Sequence, residues 1–220
     1  MESWGSGYIG RHFTSDNNLV LNIVQAAGWP IWPLIICSVV ALAIIVERFV
    51  SLRSKVVAPG ELLAQVKQEF VQNGVSNDML NRLARNSLLG RVFAAGLYNV
   101  NSSREVMRES IEEAGRFSLM EMERFLTSLG TIATIAPLLG LLGTVVGLIE
   151  IFGAGQGTGS PEKLAHGISV ALYNTAFGLI VAIPSMIFYR YFRAKVETLV
   201  VAMEQQAIKL VEIAHGERRG

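Results

Sequence analysis

From Leu129 to Ile149 the chain reads LGTIATIAPLLGLLGTVVGLI, with no charged residue. A helix rises about 1.5 Å per residue, so this stretch reaches about 31 Å, enough to cross the hydrocarbon core of a bilayer. It is unusually rich in Gly and Thr for so apolar a segment. Taken at helical steps of three and four, one line contains Gly130, Ala133, Pro137, Gly140, Thr144 and Leu148, and Gly143 and Gly147 lie close beside it. The other faces carry Leu, Ile and Val. The helix thus has a small, faintly polar face suited to a close neighbour or a pore, and bulky faces suited to lipid.

The rest of the chain agrees with a membrane setting. Hydrophobic residues make up 51% and charged residues 17% of the 220, and the mean hydropathy is +0.41. A net charge of +1 gives no reason to expect a nucleic-acid partner. Cys37 is the single cysteine, so neither an intrachain disulfide nor a Cys-based metal site is expected. His12, His166 and His215 are too scattered to form a ligand set. The sequence holds no Walker loop, no GxSxG and no HExxH, and neither an enzyme nor a cofactor is expected.

Two further membrane candidates flank this one. Residues 23–46 form the first, with Trp29 and Trp32 as interfacial anchors and a break expected near Pro30 and Pro33. Leu164 to Tyr189 forms the third, again without Asp, Glu, Lys or Arg, and is closed by Arg190, Arg193 and Lys195. Residues 1–22 are polar and lack the pattern of a cleaved signal peptide. Residues 47–128 differ in kind, being charged and helically amphipathic. Helices are expected over 61–72, from a cap at Asn77 or Asp78 through Leu83, and over 87–99. A capping box at Ser102-x-x-Glu105 opens a helix that meets no strong breaker before Pro137 and so runs on into the second span. Residues 153–163 hold a Gly-rich linker and the helix start Ser160-Pro161-Glu162. An amphipathic helix continues over 190–220.

Of the 19 Lys and Arg residues, 11 lie in 47–128 and six follow residue 189. The positive-inside rule places those segments in the cytoplasm, and the N-terminus and residues 153–163 outside. The expected fold class is therefore an all-α integral membrane protein with three transmembrane helices, N-out and C-in. Its long helices extend into a cytoplasmic helical domain.

Polar residues inside the spans admit two readings each. Thr144 and Thr175 either bond back to carbonyls of their own helices or line a wettable path. Stepping through Thr175 gives Ile168, Ala171, Thr175, Gly178, Ala182, Ser185 and Tyr189, a second small face matching the first. Small residues also let helix backbones pack tightly, which is the structural alternative. Asn174 either bonds between helices or joins a polar path. Glu150 is either a solvated carboxylate at a helix end or a proton carrier. Pro137 and Pro184 shape their helices.

Two stretches carry a resemblance: Ala136 to Leu148, APLLGLLGTVVGL, and Gly167 to Pro184, GISVALYNTAFGLIVAIP. With the three-span topology, they resemble the ExbB/TolQ/MotA proton-channel family, in its ExbB/TolQ branch. The resemblance implies a pentamer in the bacterial inner membrane whose second and third spans line a central pore. It also implies an ExbD/TolR-like single-span partner carrying a protonatable Asp, and a TonB/TolA-like protein that receives the work across the periplasm. On this likeness Thr144 and Thr175 fall on pore threonines, with Gly140, Ala171, Gly178 and Ala182 on the same pore faces. Gly143, Gly147, Pro137 and Pro184 fall on helix-packing and kink positions. Asn174 and Glu150 are the candidates for a polar path.

One position departs from the family. Members of this branch often carry Glu where Val170 stands, so the essential acid is expected on the partner. The implied function is a stator subunit that converts proton motive force into mechanical work, each proton releasing about 2.3 kcal/mol per 100 mV. The competing reading is a membrane scaffold without ion conduction. A conventional solute transporter would need an oligomer to build its path, because three spans without an internal repeat do not supply one.

Overall fold

The computed structural model describes residues 28–153 and 161–216, and among these every regular element is a helix. They are α1 (Ile31–Ser51), α2 (Ser54–Val57), α3 (Leu62–Asn73), α4 (Asn77–Asn86), α5 (Leu88–Tyr98), α6 (Arg104–Glu123), α7 (Leu126–Gly153) and α8 (Pro161–Ala214). Helices α1, α7 and α8 are long and apolar enough to cross a membrane. The N-terminal segment 1–22, residues 23–27 of the first expected span, the Ser160 cap and most of the Gly linker lie outside the described residues.

Among the described residues, the helix of the first span begins at Ile31. Gly28 adopts a positive φ of 72°, and Trp29-Pro30 makes a turn closed by the Trp32 N–H donating to the Trp29 carbonyl. Pro33 then sits in the first helical turn, where no N–H is needed. The break expected near Pro30 is this turn, and Pro33 leaves the helix uninterrupted. The helix runs on through Arg48 to Ser51.

The chain gathers into two compact units. One contains residues 28–43, 129–153 and 161–187; the other contains 44–128 and 188–216. In the first unit, Leu34 of α1 packs with Ala136 of α7 and Ala182 of α8, and Leu139, Phe177 and Val181 close around them.

In the second unit the caps sit one residue away from their expected places. Ser76, rather than Asn77 or Asp78, accepts from the Met79 N–H, and Ser103, rather than Ser102, accepts from the Val106 N–H. Ser87 caps α5 through the Gly90 N–H. Gly74 ends α3 with a φ of 69°, a conformation that glycine adopts without a Cβ penalty. Phe93, Leu97 and Met107 are fully buried where α5 meets α6. The two helices approach so closely at Gly96 that a Cβ there would stand 2.8 Å from the Ile111 side chain. Arg193 of α8 pairs with Glu123 of α6 at 2.8 Å, and Phe49 makes edge contacts with Phe188 and Phe192.

The expected unbroken helix from residue 103 into the second span has one interruption, at Arg124–Phe125. No proline or glycine causes it. The Arg48 guanidinium, only 4% exposed, donates to the Met122 carbonyl at 2.9 Å and to the Glu121 carbonyl at 3.4 Å. Those two carbonyls would otherwise accept from the N–H groups of residues 125 and 126. A side chain inserted into the helical ladder is a recognised cause of such a break. Glu47 neutralises the guanidinium, and the Phe125 ring lies 5.2 Å from it.

Candidate functional site

The site is the seam between α7 and α8 in the first unit. The helices run antiparallel, so ascending α7 through Gly140, Gly147 and Ile151 meets α8 in descending order at Thr175, Ala171 and Gly167. The small faces read from the sequence are the faces that meet. Ala136, Ala171, Asn174, Ala182 and Ser185 are buried in this seam or at its edge.

Several contacts are backbone to backbone. A Cβ on Gly140 would stand 2.7 Å from the Asn174 carbonyl oxygen and 3.0 Å from the Thr175 Cα. A Cβ on Gly178 would stand 2.6 Å from the Ala136 carbonyl oxygen. Gly143 leaves room for the Asn174 side chain, whose Cβ would otherwise be 2.7 Å away. Such separations are available only to glycine, and small residues at membrane helix interfaces serve this close approach.

The close approach brings the two threonines together. Thr144 Oγ1 and Thr175 Oγ1 are 2.5 Å apart. Thr144 Oγ1 also lies 3.2 Å from its own helix's Gly140 carbonyl and 3.2 Å from the Ala171 carbonyl across the seam. Thr175 Oγ1 reaches the same Gly140 carbonyl at 3.3 Å. Thr144 thus bonds back to a carbonyl of its own helix, and both hydroxyls bond across to the other helix. Each hydroxyl carries one proton and two lone pairs, so the pair can be ordered in either direction by rotating both O–H bonds. In one order Thr175 donates to Gly140 and Thr144 donates to Thr175. In the other Thr144 donates to Ala171 and Thr175 donates to Thr144.

Both threonines are half-buried. Of the other residues expected on a pore face, Gly140, Ala171, Gly178 and Ala182 are buried in the single chain. Asn174 is 2% exposed beside Gly143. Glu150 is exposed near the end of α7, six residues beyond Thr144 or about 9 Å of helix rise. Gly147 packs on Ala171, and Pro137 and Pro184 lie inside α7 and α8. Val170 is half-buried one residue before Ala171. The His166 side chain lies outside the described residues. Among the described residues no cluster of three or more His, Cys, Asp or Glu is placed to hold a metal.

Sequence reasoning missed two seam partners. Ala136 offers its carbonyl to Gly178, and Ile151 covers Gly167. Ala136 stands four residues before Gly140, a helical spacing that could have added it to the small-residue line.

Residues 66–205 match the MotA/TolQ/ExbB proton channel family. The chain belongs to this family. A biopolymer transport protein, ExbB1, of Vibrio cholerae is 35% identical over 171 residues, covering 74% of each chain. An ExbB-like biopolymer transport protein of Synechocystis is 31% identical over 183 residues, covering 81% of this chain and 72% of its own. The ExbB protein of Aquifex aeolicus is 35% identical over 105 residues, covering 47% of this chain and 70% of its own. The family match spans the whole of the α7–α8 seam, so the paired threonines lie within the part of the chain that carries the family likeness.

Proposed function

We propose that this chain is the channel subunit of a proton-driven stator that energises biopolymer transport. In this reading several copies, five by analogy with the family, ring a central pore in a bacterial inner membrane, with the N-terminus outside and the C-terminus in the cytoplasm. An ExbD/TolR-like single-span partner stands in the pore and carries the titrating Asp. A TonB/TolA-like protein takes up the work across the periplasm.

The observation that carries the reading is the Thr144–Thr175 pair. It joins the two helices by their hydroxyls, and it stays partly accessible. A wall bearing hydroxyls and no fixed charge does not trap a proton, yet it can solvate one or bond a partner's protonated carboxyl. The buried Gly140, Ala171, Gly178 and Ala182 set how closely the spans approach and so where the hydroxyls sit. Val170 carries no carboxyl, and in this reading the partner supplies the titrating acid.

The test is proton uptake into vesicles holding the chain together with its co-purified single-span partner, under an imposed potential. Uptake that depends on the partner, and is lost in both Thr144→Val and Thr175→Val while assembly persists, supports the reading. Full uptake in both variants removes the hydroxyls from the mechanism. A complex that assembles and never conducts identifies the scaffold reading instead.

A further inference from the structure

The second unit contains a cavity of about 480 Å³ between α6 and the C-terminal half of α8. Its apolar floor includes Val92, Ile111, Leu119, Met122, Met203 and Val211, and its rim carries Arg108, Glu112, Arg116 and Glu204. The opposite face of α6 is also unusual. Phe117 is 64% exposed and Met120 is 68% exposed, with Glu113 four residues before Phe117 and Val106 a further two turns back. At 100° per residue, Val106, Glu113, Phe117 and Met120 form one ridge, pointing away from the Ile111, Gly115 and Leu119 face that lines the cavity. One helix thus carries an apolar hole on one side and an apolar ridge on the other.

We infer that the ridge of one copy docks over the cavity of the next, and that this head-to-tail contact closes the ring outside the spans. Ridge and hole are different surfaces, so the contact is heterologous, the kind that builds rings rather than two-fold dimers. The charges agree with this arrangement. The ridge brings Glu109 and Glu113, whereas Arg104, Arg108 and Arg116 outnumber Glu112 and Glu204 around the cavity.

Register follows from symmetry. Copies in a ring do not shift along its axis, and this step rests on the proposed channel for one point, that the axis runs along the spans. Within one chain, Arg193 pairs with Glu123 at one end of the antiparallel α6–α8 pair. Counting inward from that pair puts Phe117 within about 3 Å of the level of Val201, which is exposed on α8 next to the cavity-lining Val200. Phe117 of one copy therefore meets Val201 of its neighbour, and Glu113 comes within reach of the neighbour's Arg116.

Cysteine cross-linking of the full chain in its native membrane tests the contact, in a Cys37→Ser background. Phe117→Cys combined with Val201→Cys should give an oxidant-dependent ladder of covalent species extending beyond the dimer. Each single variant should give no ladder. Two differently tagged singles, co-expressed, should give one covalent heterodimer. Dimer formation by Phe117→Cys alone would reveal a two-fold contact and overturn the inference. Absence of any cross-link in the double variant, with normal amounts of protein in the membrane, would do the same. A photo-crosslinker at Val201 that captured only lipid or a different protein would assign the cavity another occupant and also overturn it. Proton uptake by the parent chain is read separately, so the channel reading can stand if this contact fails, and the reverse.

Discussion

Gly140 and Gly178 face each other across the α7–α8 seam, and a Cβ on Gly178 would come within 3.1 Å of the Gly140 Cα and 2.6 Å of the Ala136 carbonyl oxygen. Because the obstructing atoms are backbone, no side-chain rotation relieves the clash. Gly178→Ala and Gly140→Ala should each destabilise the membrane unit by about 1–3 kcal/mol, the usual cost of overpacking. Gly147→Ala meets the Ala171 Cβ at 3.1 Å and should cost less. Thermal unfolding in detergent, followed by circular dichroism, ranks the three. Equal midpoints for Gly178→Ala and the parent would show that the seam is looser than described.

The hydroxyl pair predicts a second ordering. Thr144→Val removes a hydroxyl that has three oxygen partners, and Thr175→Val removes one that has two. Hydrogen bonds between membrane helices are worth about 0.6 kcal/mol on average, so neither change should prevent folding. Both should lower proton uptake by more than tenfold, and Thr→Ser at either position should keep most of it, since Ser preserves the hydroxyl. A Thr144→Val/Thr175→Val double variant should be no worse than the more damaged single, because the two act as one unit. Additive losses would show that they act independently.

A pH dependence is expected at the start of α6. The Glu105 carboxyl is held below its ordinary value of 4.5, first by a backbone hydrogen bond, then by the Ser103 hydroxyl, with the charges of Arg104 and His215 adding to the effect. Its folded value is depressed, so its contribution is present above about pH 4.5 and is lost as pH falls through the lower folded value. Amide exchange over residues 104–108 should accelerate relative to the rest of α6 on acidification below that point. Glu105→Gln should remove that acid-dependent difference. The carboxyl is fully exposed, so global stability should change little.

The spans were legible because a membrane imposes its demand on contiguous sequence. An uncharged run of sufficient length and a Gly/Thr line at helical spacing predicted both α7 and the face by which it meets α8. The matching line through Ala171, Thr175 and Gly178 predicted the other half of the seam. Local caps were legible only to within a residue, since Ser76 and Asn77, or Ser102 and Ser103, offer similar side-chain oxygens at adjacent positions. The interruption at Arg124–Phe125 was not legible at all. It coincides with hydrogen bonds from Arg48, more than 70 residues earlier in the chain, and nothing local to the break announces it. The cavity beside α6 was hidden for the same reason, because its two walls come from helices distant in sequence.

Arg48 yields the last prediction. Its guanidinium is buried, and it donates to the Glu121 and Met122 carbonyls where the helix is interrupted. Arg48→Met fills a similar volume but strands those carbonyls and leaves Glu47 without its counter-charge. Unpaired buried polar groups cost about 1–3 kcal/mol each, more than the new apolar contacts with Phe125 can return. Alternatively the helix can repair itself, with the N–H groups of Phe125 and Leu126 recovering the two carbonyls and the interruption closing. Amide exchange separates the outcomes, because a repaired helix slows exchange at residues 125 and 126 and an unrepaired one accelerates exchange across 121–126. The first outcome, accompanied by lost proton uptake, would mean that the interruption itself is needed for conduction. The second outcome, with a lowered unfolding midpoint, would mean that Arg48 serves stability. Arg48→Lys should fall between them, since a single ammonium can reach one carbonyl but lacks the planar fork that spans two and Glu47 together.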